Sequence, residues 1–200
     1  MNSSVSASPK SSGPDGQKSS WARIARRIRV PLGFVFAAVF LWLARPTWHS
    51  LLASLLLVVS GLLLRAYASG YVKKNRELTR TGPYGYTRNP LYLGSLLIAL
   101  GFGVSSRSLW IFLGIAILFF AIYLPVIRSE EEFLRGMFAD FDAYCQQVPR
   151  LFPRLRRGTR PANGEGGFSS SLYRKHREYN ALIGSLALYV ALLIRILWIS

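Results

Sequence analysis

Apolar residues in this chain gather into long runs separated by short basic stretches, instead of alternating with polar ones at strand or one-face helical spacing. The runs cover about 30–44, 50–69, 90–104, 109–127 and 181–199. A span across a bilayer needs about 20 apolar residues, so the pattern predicts transmembrane helices. The first run is short. It either extends back through Ile24 and Ile28 or relies on flanking arginines reaching the interface. Arg45-Pro46-Thr47-Trp48 is a tight interfacial turn that makes the first two runs a helical hairpin. Ser105-Ser106-Arg107-Ser108 is short enough only for an antiparallel turn, which pairs the third and fourth. Pro125 is expected to kink the fourth near its end. Residues 129–147 are amphipathic. The predicted fold is an all-α polytopic membrane bundle of about five transmembrane helices plus a cytoplasmic amphipathic helix.

Boundaries follow from composition. Residues 1–22 are rich in Ser, Pro, Gly and Lys with nothing to bury, and read as a disordered basic tail that is not a signal peptide. Residues 23–157 form the membrane core, 158–171 with Gly-Glu-Gly-Gly a linker, and 172–200 a C-terminal transmembrane helix.

Charge gives the arrangement an orientation. The chain holds 25 Lys/Arg against 9 Asp/Glu, a formal net charge of +16. These cations flank apolar runs and form no single patch with interleaved aromatics, which argues against nucleic acid as a partner. With the N-terminus in the cytoplasm, six fall between the N-terminus and Arg29, six between Arg65 and Arg88 and ten between Arg128 and Arg177, leaving only Arg45, Arg107 and Arg195 outside. The positive-inside rule therefore predicts N-in, C-out, multi-pass insertion in the lipid bilayer. Cys145 is the single cysteine, and His49 and His176 lie on opposite sides in this topology, so neither a disulfide framework nor a metal site is expected. Oligomeric state has no signature in the pattern.

The chemistry-bearing stretch is the polar loop of residues 80–94. Gly82-Pro83 and Gly85 punctuate turns, Pro90 suits a first helical position, and Asn89 falls at the N-cap. The hairpin of spans three and four returns Arg88 to Tyr92 beside Arg128 to Glu132. Drawn as one helix, residues 129–147 gather Phe133, Leu134, Met137, Phe138, Phe141, Tyr144 and Cys145 on one face, with Glu130 at its centre, Glu131 on its flank and Glu132 opposite. A carboxylate aimed into apolar packing is costly unless paired or used, which makes Glu130 and Glu131 the candidates. Blander roles stand beside these. Arg88 as a snorkelling cation, Asn89 as a cap, Tyr84, Tyr86 and Tyr92 as interfacial aromatics, and Gly94 with Gly101 as packing glycines all fit the same residues.

Taken together, Gly82-Pro83-Tyr84, Arg88-Asn89-Pro90-Leu91-Tyr92-Leu93-Gly94, Glu130-Glu131-x-x-Leu134-x-x-x-Phe138, Tyr144 and Val148-Pro149-Arg150 with Pro153 resemble the isoprenylcysteine carboxyl methyltransferase and phospholipid methyltransferase family of membrane proteins. The resemblance covers roughly residues 78–155. It implies an S-adenosylmethionine-dependent methyltransferase whose cofactor enters from the cytoplasm and whose lipid-like or prenylated substrate enters from the bilayer. It also implies cofactor contacts at Tyr84, Asn89, Pro90, Tyr92, Glu130 and Glu131, and catalytic roles for Arg88 and Glu130. Two positions depart from the family pattern. Asn89 stands where the family has histidine, and keeps hydrogen-bonding capacity without acid-base capacity. Phe138-Ala139-Asp140-Phe141 replaces Phe-Gly-x-x-Tyr one residue short. A carboxylate acceptor is ionised at neutral pH and needs no base, so the missing histidine favours it over an amine. Two other classes remain open, a membrane NADPH-dependent sterol-type reductase and an inactive membrane module of the same fold.

Overall fold

The computed structural model describes residues 20–72, 77–154 and 167–199. The expected tail up to Ser19, the linker up to Gly166, and Lys73, Lys74 and Arg76 lie outside the described residues. Among those described there are helices and turns and no strand. In chain order the helices are α1 Ser20–Leu43, α2 Trp48–Ser69, α3 Pro90–Ser106, α4 Leu109–Leu118, α5 Leu124–Met137, α6 Phe141–Gln147, α7 Ser170–Lys175 and α8 Tyr179–Ile199, with a 3-10 turn at Gly82–Gly85.

Three helices are long and apolar enough to cross a membrane: Trp48–Ser69, Leu109–Met137 and Tyr179–Trp198. Pro31–Leu43 and Pro90–Ser106 are shorter apolar helices. Only 28% of the Trp48–Ser69 window is buried within the protein, and large side chains such as Phe34, Leu56, Trp110 and Trp198 face outward. An apolar surface of that extent calls for hydrocarbon as its solvent. The all-helical membrane architecture expected from the sequence is thus the observed one. α1 extends back through Ile24 and Ile28, the first of the two ways its short run can be completed.

The packing differs from the expected hairpins in one respect. α2 lies chiefly along α3, while α1 rests on the continuous α4–α5 helix instead of running along α2. Small residues decide this. A Cβ on Gly61 would sit 2.6 Å from the Gly94 carbonyl oxygen, and one on Gly101 would sit 2.6 Å from Val58 Cγ2, so α2 and α3 approach as closely as backbones allow. The α2 start is fixed by a capping box in which Thr47 and Ser50 each accept the other's backbone N–H. Ser50 also donates to Ser105 O at 3.1 Å, tying that start to the end of α3.

α8 is strapped along α2 and α1 by polar contacts at three levels. Arg65 pairs with Glu178 at one end, Ser54 meets the Tyr189 hydroxyl at 2.7 Å midway, and Arg195 Nε donates to Ala44 O at 2.7 Å at the other end. The Arg45 amide bonds Ser106 O at 3.0 Å. Arg45, Arg107 and Arg195, the three cations outside the basic segments, therefore gather at one end of the bundle, opposite the Arg65–Glu178 pair.

The expected amphipathic helix over 129–147 is not one element. Span four continues without interruption from Leu109 through Met137, and the chain breaks at Phe138 before α6 begins at Phe141. Within that long helix, Phe119–Tyr123 widens into a π turn just ahead of Pro125, where a kink is expected from the sequence. Proline lacks the N–H for the helical ladder and its ring crowds the preceding turn, which a π turn relieves.

Candidate functional site

The end of α2, the described residues of the loop between α2 and α3, the start of α3, the middle of α5, α6 and the α7–α8 junction line a cavity of about 510 Å³. Its lining includes Tyr84, Arg88, Asn89, Pro90, Tyr92, Glu130 and Glu131, all seven residues singled out in the sequence. Antiparallel return of α3 and the α4–α5 helix brings them together.

Glu131 is the fixed point of this wall. Its side chain is 5% exposed. Arg150 Nη2 and Nε reach Oε2 at 2.8 and 2.9 Å, Asn89 Nδ2 donates to Oε1 at 3.1 Å, and Arg88 Nη1 lies 3.5 Å from Oε1. Helix phase explains which glutamate is buried. Ile127, Glu131 and Leu134 follow at helical spacing on the inward face of α5, while Glu130 and Glu132 are exposed. The wheel drawn over 129–147 centres Glu130 because it joins Phe141 and Tyr144 to the same helix. The break at Phe138 detaches them, and the inward face is then set by Ile127 and the residues above it. Glu130 still lines the cavity, where its Oε1 accepts the Tyr92 hydroxyl at 3.0 Å.

The loop that carries Arg88 and Asn89 is stitched to the exit after α6. The Arg88 amide donates to Pro149 O at 2.9 Å, Thr87 Oγ1 to Leu151 O at 2.9 Å, Asn89 Nδ2 to Arg150 O at 3.0 Å, and the Arg154 amide to Tyr86 O at 3.1 Å. Asn89 occupies the N-cap position of α3 but makes no side-chain cap bond, since its amide is turned to Glu131 and Arg150. Arg88 points inward, not to the interface, and Nη1 also donates to the Cys145 thiol. Its Nε is buried without a partner.

Tyr84 is buried, and the Tyr144 hydroxyl donates to its carbonyl at 2.7 Å. Burial, then the nearby Tyr144, Glu178 and Glu130, push the Tyr84 hydroxyl well above the ordinary tyrosine range, with Arg65 opposing. Burial does the same for Tyr144. Both hydroxyls are held in the protonated form, and that of Tyr144 is used as a donor.

Two cavity residues, Arg65 and Glu178, and Arg150, which braces Glu131 from behind, escape the sequence reading. Arg150 sits inside the Val-Pro-Arg segment that carries the resemblance, and its neighbours alone could have flagged it. Arg65 had a signal, being an arginine inside an apolar span. Glu178 had none beyond being a lone carboxylate ahead of the last span. A second, apolar cavity of about 140 Å³ lies between α1, α3 and the α4 π turn, lined by Leu32, Phe36, Leu96, Phe119 and Ile122 among others. Tyr92 lines both cavities, and its ring meets Tyr123 edge-on at 6.0 Å.

The model of the phospholipid methyltransferase family matches residues 61–140. That span includes Arg65, the Tyr84–Tyr92 loop and the glutamate pair, and stops short of Arg150 and Glu178. Over 136 residues the chain is 37% identical to the cobalt-zinc-cadmium resistance protein CzcN of Cupriavidus metallidurans, covering 64% of this chain and 62% of that protein. Over 119 residues it is 34% identical to the nickel-cobalt-cadmium resistance protein NccN of Alcaligenes xylosoxydans xylosoxydans, covering 60% of this chain and 48% of that protein. The matched part thus spans about half to three fifths of each relative's length. No solved structure matches the chain.

Proposed function

We propose, from the match of residues 61–140 to the phospholipid methyltransferase family, that this membrane protein belongs to that family and transfers a methyl group from S-adenosylmethionine to a lipid-like or prenylated substrate. The observation that carries the reading is the convergence of Tyr84, Arg88, Asn89, Pro90, Tyr92, Glu130 and Glu131 on one cavity of about 510 Å³.

The residues present fit such a cofactor. Bound there, S-adenosylmethionine supplies an electrophilic methyl carbon on a sulfonium. Tyr84 and Tyr92 offer aromatic faces to a cation, and Glu130 offers an exposed carboxylate to an ammonium or to ribose hydroxyls. Arg88 suits a carboxylate, whether of the cofactor or of the acceptor. Displacement at a methyl carbon is accelerated mainly by alignment and water exclusion, so the rigid loop held by residues 149–154 is the main asset of this chain. The apolar cavity that meets the charged one at Tyr92 suits the chain of a lipid entering from the bilayer. We assign the charged cavity to the cytoplasmic face, with the N-terminus inside and the C-terminus outside. Asn89 is engaged with Glu131 and Arg150 and has no acid-base capacity, which favours a carboxylate acceptor. The relatives carry names of cobalt, zinc, cadmium and nickel resistance proteins.

The test is transfer of labelled methyl from S-adenosylmethionine to a panel of prenylated thiol acids and ethanolamine lipids, with Glu130→Gln as control. Label is expected on the carboxylate acceptors and is expected to fall in the control. Transfer to the amines alone reverses the acceptor, and full activity of the control removes Glu130. Stabilisation by NADPH and not by S-adenosylhomocysteine in a thermal melt replaces the reading with a reductase.

A further inference from the structure

The cavity has a second charged wall, and part of it comes from beyond the family match. Arg65 lies one turn before the end of α2. Glu178 stands at the α7–α8 junction, 113 positions later in the chain. Arg65 Nη2 donates to Glu178 Oε2 at 2.7 Å, with the side chains 22% and 10% exposed. Nη1 is used on the other side, donating to Leu91 O at 3.2 Å and to the Ser95 hydroxyl. Nε is buried and unpartnered.

The arrangement is incomplete in a specific way. A guanidinium presents Nε–H and Nη2–H as a parallel fork that matches the two oxygens of a carboxylate or phosphate. Glu178 takes Nη2 and leaves the Nε of the same fork unmade. The fold, not adjacency, delivers Glu178 to this position. Phe168 stacks on Tyr67, the Ser169 amide donates to Gly70 O at 2.9 Å, and His176 Nδ1 meets Ser69 O at 3.1 Å. Arg177 then turns the chain with φ 52° in the left-handed region, which is unusual for a residue other than glycine. Arg65, His176 and Glu178 all line the cavity.

We propose that Arg65 is a further ligand-binding residue, for a carboxylate or phosphate on the molecule that fills the cavity, and that Glu178 is its resting counterion, displaced when that anion arrives. An anion taking both Nε and Nη2 makes two charge-assisted bonds where Glu178 makes one. The C-terminal arm is then a competitor within the site as well as a wall of it. The inference rests on the reading of the cavity as a methyltransferase site, in which the anion is either the cofactor's carboxylate or the acceptor's head group.

The experiment measures binding of S-adenosylhomocysteine and, separately, of short-chain phosphatidic acid to the purified full chain, with diacylglycerol of the same chains as the neutral control. Arg65→Gln is expected to weaken the anionic ligand at least tenfold. Glu178→Gln is expected to tighten it at least threefold, because a competing carboxylate is gone. The charge-swapped variant, Arg65→Glu with Glu178→Arg, keeps an ion pair for folding and is expected to bind as poorly as Arg65→Gln. A response confined to S-adenosylhomocysteine assigns the anion to the cofactor, and one confined to phosphatidic acid assigns it to the substrate. A purely structural latch predicts weaker binding in both single variants and recovery in the swap, and either result overturns the proposal. If Glu178→Gln fails to fold, the swap decides alone. Binding of S-adenosylhomocysteine with no response of either ligand to any of the three variants leaves the function standing and removes this inference. The expected pattern with phosphatidic acid and no S-adenosylhomocysteine binding does the reverse.

Discussion

The two charged walls of the cavity use the same residue types and are satisfied to different degrees. On one wall, Glu131 has donors from three side chains, and the backbone around them is closed by bonds between residues 86–89 and 149–154. On the other, the Glu178 carboxylate is held by a single nitrogen of Arg65, while each wall leaves one arginine Nε unmade, that of Arg88 and that of Arg65. A buried ion that is fully surrounded is a fixed part of the scaffold, because removing any partner leaves charge uncompensated in a poorly solvated place. A carboxylate held by a single donor is the one an incoming anion can displace, and the contrast between the walls lies in Glu131 and Glu178. Glu130 shows the contrast over a single residue. Its neighbour Glu131 is walled in, whereas Glu130 stays exposed with Tyr92 as its one identified partner.

The largest expected effect tests the closed wall. Glu131→Ala strands Arg88 and is expected to cost about 3–5 kcal/mol of stability in chemical denaturation of the detergent-solubilised protein. A loss below about 1 kcal/mol would mean that the network is not structural and that the contrast between the walls is false. Next comes Glu130→Gln, which is expected to leave stability within about 0.5 kcal/mol. It should weaken S-adenosylhomocysteine binding by about 10–100-fold, the worth of a charge-assisted hydrogen bond of about 1.5–3 kcal/mol. Unequal stability effects at neighbouring glutamates would sharpen the comparison; equal ones would break it.

Gly94→Ala probes how the open wall is anchored. The new Cβ would lie 2.6 Å from Arg65 Cγ and 2.8 Å from Gly61 O, so it presses on the seam and on the arginine together. Overpacking of this kind is expected to cost about 1–3 kcal/mol in a melting experiment. Asn89→Ala removes the bonds to Glu131 and Arg150 and is expected to cost about 0.5–1.5 kcal/mol while leaving the ion pair in place. A larger loss would show that asparagine, not the arginines, holds the closed wall.

The smallest effect is a pH dependence. The hydroxyls of Tyr84 and Tyr144 are raised above the ordinary value of 10.0 by burial. Their neutral forms are favoured in the folded state. The stability this gives is fully present below pH 10 and is lost as pH climbs further, because the unfolded chain releases those protons first. The melting temperature is expected to fall more steeply above pH 10 in the native protein than in Tyr144→Phe. Equal slopes would remove the buried tyrosines as the cause.

Much of the site is readable from residue types and their order. The Gly82–Gly94 loop, the glutamate pair and the antiparallel return of two apolar runs suffice to bring seven residues to one cavity, since two helices joined by a short turn must present their far ends together. What is not readable is helix phase across an unseen break. Whether Phe141 and Tyr144 extend the helix of Glu131 depends on the break at Phe138, and that turn follows from packing of α6 against the loop. Arg150 and Glu178 are likewise placed by chain segments folding back.

The sequence by itself determined the bilayer as solvent, the helical class and the residue content of the 80–94 loop. These depend on hydrophobicity and local backbone chemistry, which act within a few residues. Tertiary structure alone decided that Glu131 and not Glu130 is buried, that Asn89 serves the network and not the helix cap, and that Arg65 and Glu178 share the cavity. Each depends on distant segments competing for a limited set of buried donors and acceptors, and only the folded chain fixes which partners meet.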